Sequence, residues 1–365
     1  MQTNWNNNHF LHLDKLLLLS LIALSFIGLF VLYSASSQNF DLIFRQFLRL
    51  LAGFGLMLWF AQIDIQKIVP MVPWLYLMGI ILLILVLVLG EASKGSQRWI
   101  NLGLFRFQPS EIMKLVVPMM VTWYLASKPL PPSHWRLFLA IIIILVPVIL
   151  VAKEPDLGTA LLIGTSGLFV LLLAGMAWRL VFRFIMACIL FFPVLWFYIL
   201  HEYQRNRILT YLNPERDPLG TGYHTIQSKI AIGSGGIYGK GWLNGTQSQL
   251  QFLPERTTDF VFAVYSEEFG LVGVLILLCL YFFIFTRGMY IAFRAQDTFA
   301  RLLVGSLMLT FFVYVFVNIG MVIGLLPVVG LPLPLLSYGG TSIVTLMAGF
   351  GFVMAIHTHR RFLYS

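Results

Sequence analysis

Charge is scarce in this chain. Only 11% of its 365 residues are Asp, Glu, Lys or Arg, against roughly 25% in a soluble domain. With 59% of residues hydrophobic, a water-soluble globule is excluded. An integral membrane protein with one polytopic domain, 1–365, is expected instead. Cysteine is scarcer still. Cys188 and Cys279 both sit in apolar runs, which argues against a disulfide framework or a cysteine metal site. Met1 to His12 is polar and Asn-rich, with no signal-peptide cleavage pattern before the first apolar run, so the first helix is expected to remain as an anchor. A basic stripe is also missing. The net charge is +9, but the bases are dispersed among apolar runs, and no nucleic-acid partner is expected. No internal repeat is visible.

What is present is a series of apolar runs near the ~20 residues a bilayer requires. Ten spans are predicted, at 14–34, 44–63, 70–90, 109–127, 137–153, 158–176, 178–200, 264–290, 301–325 and 338–357. The expected fold is therefore all-α, with about ten transmembrane helices. A large extracytoplasmic loop, 202–264, separates the seventh from the eighth. Pro147 and Pro193 fall inside spans, which membrane helices tolerate when neighbours satisfy the freed carbonyls.

Orientation follows the bases in short loops. With both termini cytoplasmic, eleven Lys and Arg lie inside and seven lie in short outer loops and rims: Arg45, Arg49, Lys94, Arg98, Arg106, Lys114 and Lys153. Six more lie in the long loop, which translocates largely regardless of charge. Twelve of the fifteen acids then also fall on the outer side. Bases kept outside need a reason, such as an anionic ligand, so chemistry is expected on the outer face.

Several outer segments could carry it. Lys94-Gly95-Ser96-Gln97-Arg98-Trp99 precedes Arg106-Phe107-Gln108-Pro109-Ser110-Glu111 and Lys114. Ser110 is a plausible helix cap with Glu111 in the first turn. Glu111 and Lys114, three apart, share a helix face. They read equally well as an ion pair that starts the helix at the rim or as part of a phosphate-holding group. Lys153-Glu154-Pro155-Asp156-Leu157-Gly158-Thr159 is a charged turn in which Asp156 is expected to cap the next helix. The stretch from Gly233 to Gly241 imitates a phosphate loop. It has Ser234 where glycine is required and Gly241 where Ser or Thr is required, so a flexible loop is expected.

Asp259, in Pro254-Glu255-Arg256-Thr257-Thr258-Asp259-Phe260, stands at the border of an apolar helix pattern. Helical spacing would place it on one face with Ala263 and Glu267. It reads as a helix cap, a partner for Arg256, or a general base reaching the headgroup of a lipid-anchored substrate. Finally, the apolar segment from Gly324 to Gly340 holds three prolines and repeated glycines. It cannot form a continuous helix, and at membrane depth such backbone must line a protein-enclosed cavity.

The motifs Lys94-Gly95-Ser96-Gln97-Arg98-Trp99, Gln108-Pro109-Ser110-Glu111, Pro155-Asp156-Leu157-Gly158-Thr159, Gly233-Ser234-Gly235-Gly236, Leu253-Pro254-Glu255 with Thr258-Asp259-Phe260, and Pro332-Leu333-Pro334 with Ser337-Tyr338-Gly339-Gly340 together resemble the SEDS family, in order along nearly the whole chain. The short N-terminal tail and the stretch from His224 to Gln247-Ser248 are similar to its rod-shape branch rather than its division branch. Glu154 stands where glutamine is common in the family. The resemblance implies a peptidoglycan glycosyltransferase that polymerises lipid II on the outer face of a bacterial inner membrane and releases undecaprenyl pyrophosphate. It implies that Asp259 is the essential aspartate, deprotonating the acceptor hydroxyl or helping to hold a divalent cation, Mg or Mn. It places Glu111 and Lys114 at the mouth of a central cavity, with Arg45, Arg98 and Asp156 among its polar positions and Lys94 and Ser337 in matching motifs. The partners it implies are lipid II, a class B penicillin-binding protein, and elongation components such as MreC and MreD. A lipid II flippase would need a similar cavity, and a non-catalytic scaffold for the transpeptidase would leave Asp259 dispensable.

Overall fold

The structure, a computed structural model, describes residues 13–93, 96–101, 106–199, 205–206, 209–211, 221–250, 252–253 and 255–358. Its helices are α1 Lys15–Ala35, α2 Phe40–Ala61, α3 Ile65–Ile68, α4 Val72–Leu89, α5 Pro109–Ala126, α6 His134–Lys153, α7 Leu157–Leu173, α8 Trp178–Val194, α9 Thr221–Gly235, α10 Thr246–Gln249, α11 Val261–Phe293, α12 Thr298–Val322 and α13 Thr341–Thr358. A helix lies at each of the ten predicted spans. Seven helices among the described residues are long and apolar enough to cross a membrane: α1, α2, the unit Ile65–Leu89, α6, α11, α12 and α13. Between α4 and α5 run three short antiparallel strands, β1 Glu91–Ser93, β2 Ser96–Asn101 and β3 Arg106–Phe107, with Glu91 opposite Trp99 and Ile100 opposite Phe107.

Local chemistry sets the helix starts. Asp14, Asn39 and Asp64 each accept a backbone N–H two or three residues ahead, from Leu17, Leu42 and Gln66, satisfying donors the helix itself cannot. At α5 the expected Ser110 cap is corrected. Gln108 occupies the cap position and Pro109 the first turn, where its fixed φ and missing N–H cost nothing. Ser110 is fully buried inside the helix.

Packing forms two large apolar cores beside a small cluster of Leu162, Tyr314, Val317 and Leu331. One joins α1, α2, α11, α12 and α13; the other joins α4, α5, α6 and α7. Large side chains such as Phe26, Trp74, Ile81, Leu190 and Phe282 remain exposed. Apolar residues outside as well as inside mark a bundle whose surroundings are hydrocarbon.

The expectation of a flexible loop at 233–241 is also corrected. Residues 233–235 finish α9, and the turn that follows is bonded to α11 main chain to main chain. Lys240 and Gly241 N–H donate to Glu267 and Glu268 carbonyls, and Leu271 and Val272 N–H to Gly236 and Ile237 carbonyls. This is possible because α11 is broken at Gly270, where φ is +62°. That conformation suits only glycine, and a Cβ there would lie 2.3 Å from the Gly239 nitrogen. The segment is thus a fixed shelf over the start of α11.

Candidate functional site

One end of the bundle gathers the polar residues. Its hub is the Pro-rich segment 324–340 between α12 and α13. The Gln46 side chain from α2 donates to the Ser337 carbonyl (3.1 Å), and the Tyr281 hydroxyl from α11 donates to that of Pro334 (2.6 Å). A Cβ on Gly158, at the start of α7, would meet Val329 at 2.8 Å, so α7 touches the same segment. From Leu331 to Ser337 the irregular backbone is buried except at Pro332, as membrane depth demands, while Leu325 and Gly330 are exposed.

Asp259 precedes α11, so it does not share a helical face with Ala263 and Glu267. Its turn is pinned by three successive carbonyls. Thr257 O accepts from Tyr338 N–H (2.8 Å), Thr258 O from the Ser337 hydroxyl (2.5 Å), and Asp259 O from the Asn318 amide (3.0 Å). The Asp259 carboxylate faces Gly330, whose added Cβ would sit 3.7 Å from Oδ2. Gly330 has φ +79°, so the segment bends there as only glycine does readily. Arg256 donates to Ser248 O and to the Ser37 hydroxyl. Ser337 is 2% exposed, and its hydroxyl also accepts from Leu333 N–H (2.7 Å). Its hydrogen-bonding capacity therefore serves the backbone of the site.

Asp156 caps α7 as its position predicts, accepting from Thr159 N–H (3.1 Å) and the Thr159 hydroxyl (3.0 Å). The Gln108 amide (3.2 Å) and Arg98 (3.6 Å) complete its surroundings. Arg98 also donates to the carbonyls of Glu154 and Pro155. Glu154 is fully buried, and among the described residues neither of its side-chain oxygens has a hydrogen-bond partner. Burial, reinforced by the Asp156 charge and partly offset by Arg98, pushes its carboxyl up to about 8.

Glu111 and Lys114 form a buried ion pair at 2.7 Å. The Thr345 hydroxyl from α13 donates to Glu111 (3.2 Å), and Lys114 donates to the Tyr314 hydroxyl from α12 (3.2 Å). A cavity of about 50 Å³ adjoins them, lined in part by Thr310, Ser342 and Leu346. Arg45 is exposed on α2, one position before Gln46. Arg49, one turn on, lies over the Tyr338 ring at 4.4 Å. Lys94 lies outside the described residues. Motif reading missed Gln46, Tyr314, Asn318 and Thr345. The available signal was a polar side chain within an apolar span.

The fold and this polar end define a multi-pass membrane protein with a carboxylate site buried at one rim. The profile of the FtsW/RodA/SpoVE cell cycle protein family matches residues 14–362, and the chain belongs to that family. It is 54% identical over 99% of its length to the peptidoglycan glycosyltransferase MrdB of Escherichia coli K12, covering 97% of that protein. Identity is 35% to a probable peptidoglycan glycosyltransferase FtsW of Geobacter metallireducens, over 95% of each chain. Two solved structures are similar. One, from work on the structural coordination of polymerization and crosslinking by a peptidoglycan synthase complex, has a TM-score of 0.83 and 32% identity, over 94% of this chain and 97% of that one. The Thermus thermophilus rod shape determining protein RodA has a TM-score of 0.73 and 28% identity, over 98% and 100%.

Proposed function

We propose that this protein is a peptidoglycan glycosyltransferase that polymerises lipid II at the outer face of a bacterial inner membrane, with both termini cytoplasmic. Full-length similarity to MrdB supports the activity. The observation that carries the site is the pinning of the Asp259 turn to the Pro-rich hub, which also meets α7 beside Asp156.

In the reaction an acceptor sugar hydroxyl attacks the anomeric carbon of the donor. A new glycosidic bond forms, and the bond to the pyrophosphate oxygen breaks, that oxygen keeping the electron pair. Asp259 takes the hydroxyl proton as general base, a role worth about 10²–10⁴-fold in rate. Charge accumulating on the leaving pyrophosphate is offset by fixed cations. Lys114 faces Glu111 at 2.7 Å and Arg98 faces Asp156 at 3.6 Å, so both cations enter the task partly offset, beside Lys94 and the exposed Arg45.

The residues fit a divalent cation only in a shared mode. Among the described residues no three His, Cys, Asp or Glu side chains converge, so a protein cage is not formed. Mg commonly binds one or two carboxylates, substrate phosphates and water, and Asp259 is the carboxylate that would hold it. Bound there, it would neutralise pyrophosphate charge.

A class B penicillin-binding protein is the proposed crosslinking partner, within an elongation assembly that includes MreC and MreD. The test is polymerisation of labelled lipid II by the purified protein with that partner, its transpeptidase centre blocked and Mg or Mn supplied. Glycan strands from wild type and none from Asp259→Asn are expected. Equal strands from both would remove Asp259 from the mechanism, and none from either would favour a flippase or scaffold.

A further inference from the structure

Asn318 lies in the middle of the bundle's chemistry without facing its cavity. It is fully buried within α12, an apolar span. A buried amide is costly unless its hydrogen bonds are made. Its Nδ2 donates to two carbonyls, Asp259 O at 3.0 Å and Leu331 O at 2.6 Å. Because carbonyls only accept, these partners fix which end of the amide is nitrogen. The Oδ1 has no partner among the described residues. For packing alone, a leucine of nearly the same shape would fill the site without that cost.

The two carbonyls belong to segments with no regular structure of their own. One is the turn that carries Asp259. The other adjoins Gly330, the residue facing the Asp259 carboxylate. The neighbouring carbonyls of Thr257 and Thr258 are held by Tyr338 and Ser337, which belong to the loop itself. Gln46 and Tyr281 tie the loop to α2 and α11, and the single Asn318 amide, on α12, bonds both segments at once. Sites built on helices hold geometry better than sites built on loops, and a misplacement of about 1 Å can cost ~100-fold in rate.

We propose that Asn318 is a positioning residue for glycan polymerisation: it fixes the Asp259 main chain and the facing loop to α12, and so sets where the carboxylate meets the acceptor hydroxyl. This rests on the reading of Asp259 given above. Asn318 itself touches no substrate.

The test uses the full-length protein with its transpeptidase partner and labelled lipid II. Asn318→Leu removes both donors and keeps the shape; Asn318→Ala is run beside it as a variant that forces no contact. The expected result is a fall in kcat of about 100-fold, with KM for lipid II within about twofold of wild type and the melting temperature and partner binding retained. Direct lipid II binding is compared in Asp259→Asn with and without Asn318→Leu, neither of which turns over, and equal binding is expected. Wild-type kcat per folded molecule in both single variants would overturn the proposal. So would a loss explained by weaker lipid II binding, or unfolding of both variants. The Asp259→Asn control separates the two levels. If it polymerises normally, the Asp259 reading fails; if it is inactive while the Asn318 variants are not, only the positioning proposal fails.

Discussion

Asp259 and Glu267 stand eight residues apart at the same end of the bundle, and the structure uses them in opposite ways. Glu267 is fully buried, and donors saturate its carboxylate: Lys240 at 2.7 Å, the Thr246 hydroxyl and Gln247 N–H at 3.0 Å, and Ser248 N–H at 3.3 Å. It staples the shelf made by α9, the turn after it and α10. At Asp259 the bonds from Tyr338, Ser337 and Asn318 run to the main chain of its turn. Donors bind the oxygens of the first carboxylate itself; at the second they bind the main chain of the turn that carries it. An acid near a membrane rim is therefore not evidence of chemistry until its partners are known, and helical spacing alone could not tell these two apart.

Several substitutions sharpen that contrast. The largest effect is expected at another buried acid, Glu111. Lys114→Met leaves Glu111 buried without its ion-pair partner, which typically costs about 3–5 kcal/mol. Adding Glu111→Gln should restore most of the melting temperature. Recovery of stability without recovery of polymerisation would place the pair in the site as well as in the fold.

Lys240→Met tests the shelf. Lys240 keeps 27% of its side-chain surface, so water offsets part of the loss, and about 2 kcal/mol is expected. Thermal melts and proteolysis of the shelf should show it, while polymerisation per folded molecule stays near wild type. A selective loss of activity at full stability would break the contrast. Tyr314→Phe removes one hydroxyl from Lys114 and should cost about 1 kcal/mol, read from the melting temperature.

A pH-dependent effect is expected at Glu154. Glu154 has its carboxyl raised from 4.5 to about 8 by burial. The folded state therefore holds a proton that the unfolded state releases, and this contribution to stability is lost as pH rises across that window. Glu154→Gln should flatten the decline, so that its melting temperature exceeds that of wild type above pH 8. Parallel curves for the two proteins would show that Glu154 is already ionised when folded.

Much of this was legible in the sequence because hydrocarbon imposes simple rules. Each of the ten predicted spans holds a helix, seven helices among the described residues being long and apolar enough to cross a membrane, and Asp156 capped α7 as its position before Gly158-Thr159 suggested. Ser110 misled because Pro109, a stronger first-turn residue, moved the start back. The shelf at 233–241 was illegible for a different reason. Its bonds join main-chain groups about thirty residues apart, and backbone pairing leaves little trace in side-chain pattern. Asn318 lacked a motif; its only mark was polarity inside α12, and its meaning came from the two carbonyls that the fold brought to it.

The most direct test sets Asp259→Asn against Glu267→Gln in one experiment, measuring lipid II polymerisation per folded molecule and the melting temperature of each. Asp259→Asn is expected to lose polymer at wild-type stability, whereas Glu267→Gln is expected to melt lower but still polymerise in its folded fraction. The reverse pattern, or equal loss of activity at equal stability, would contradict the division between a catalytic carboxylate and a structural one.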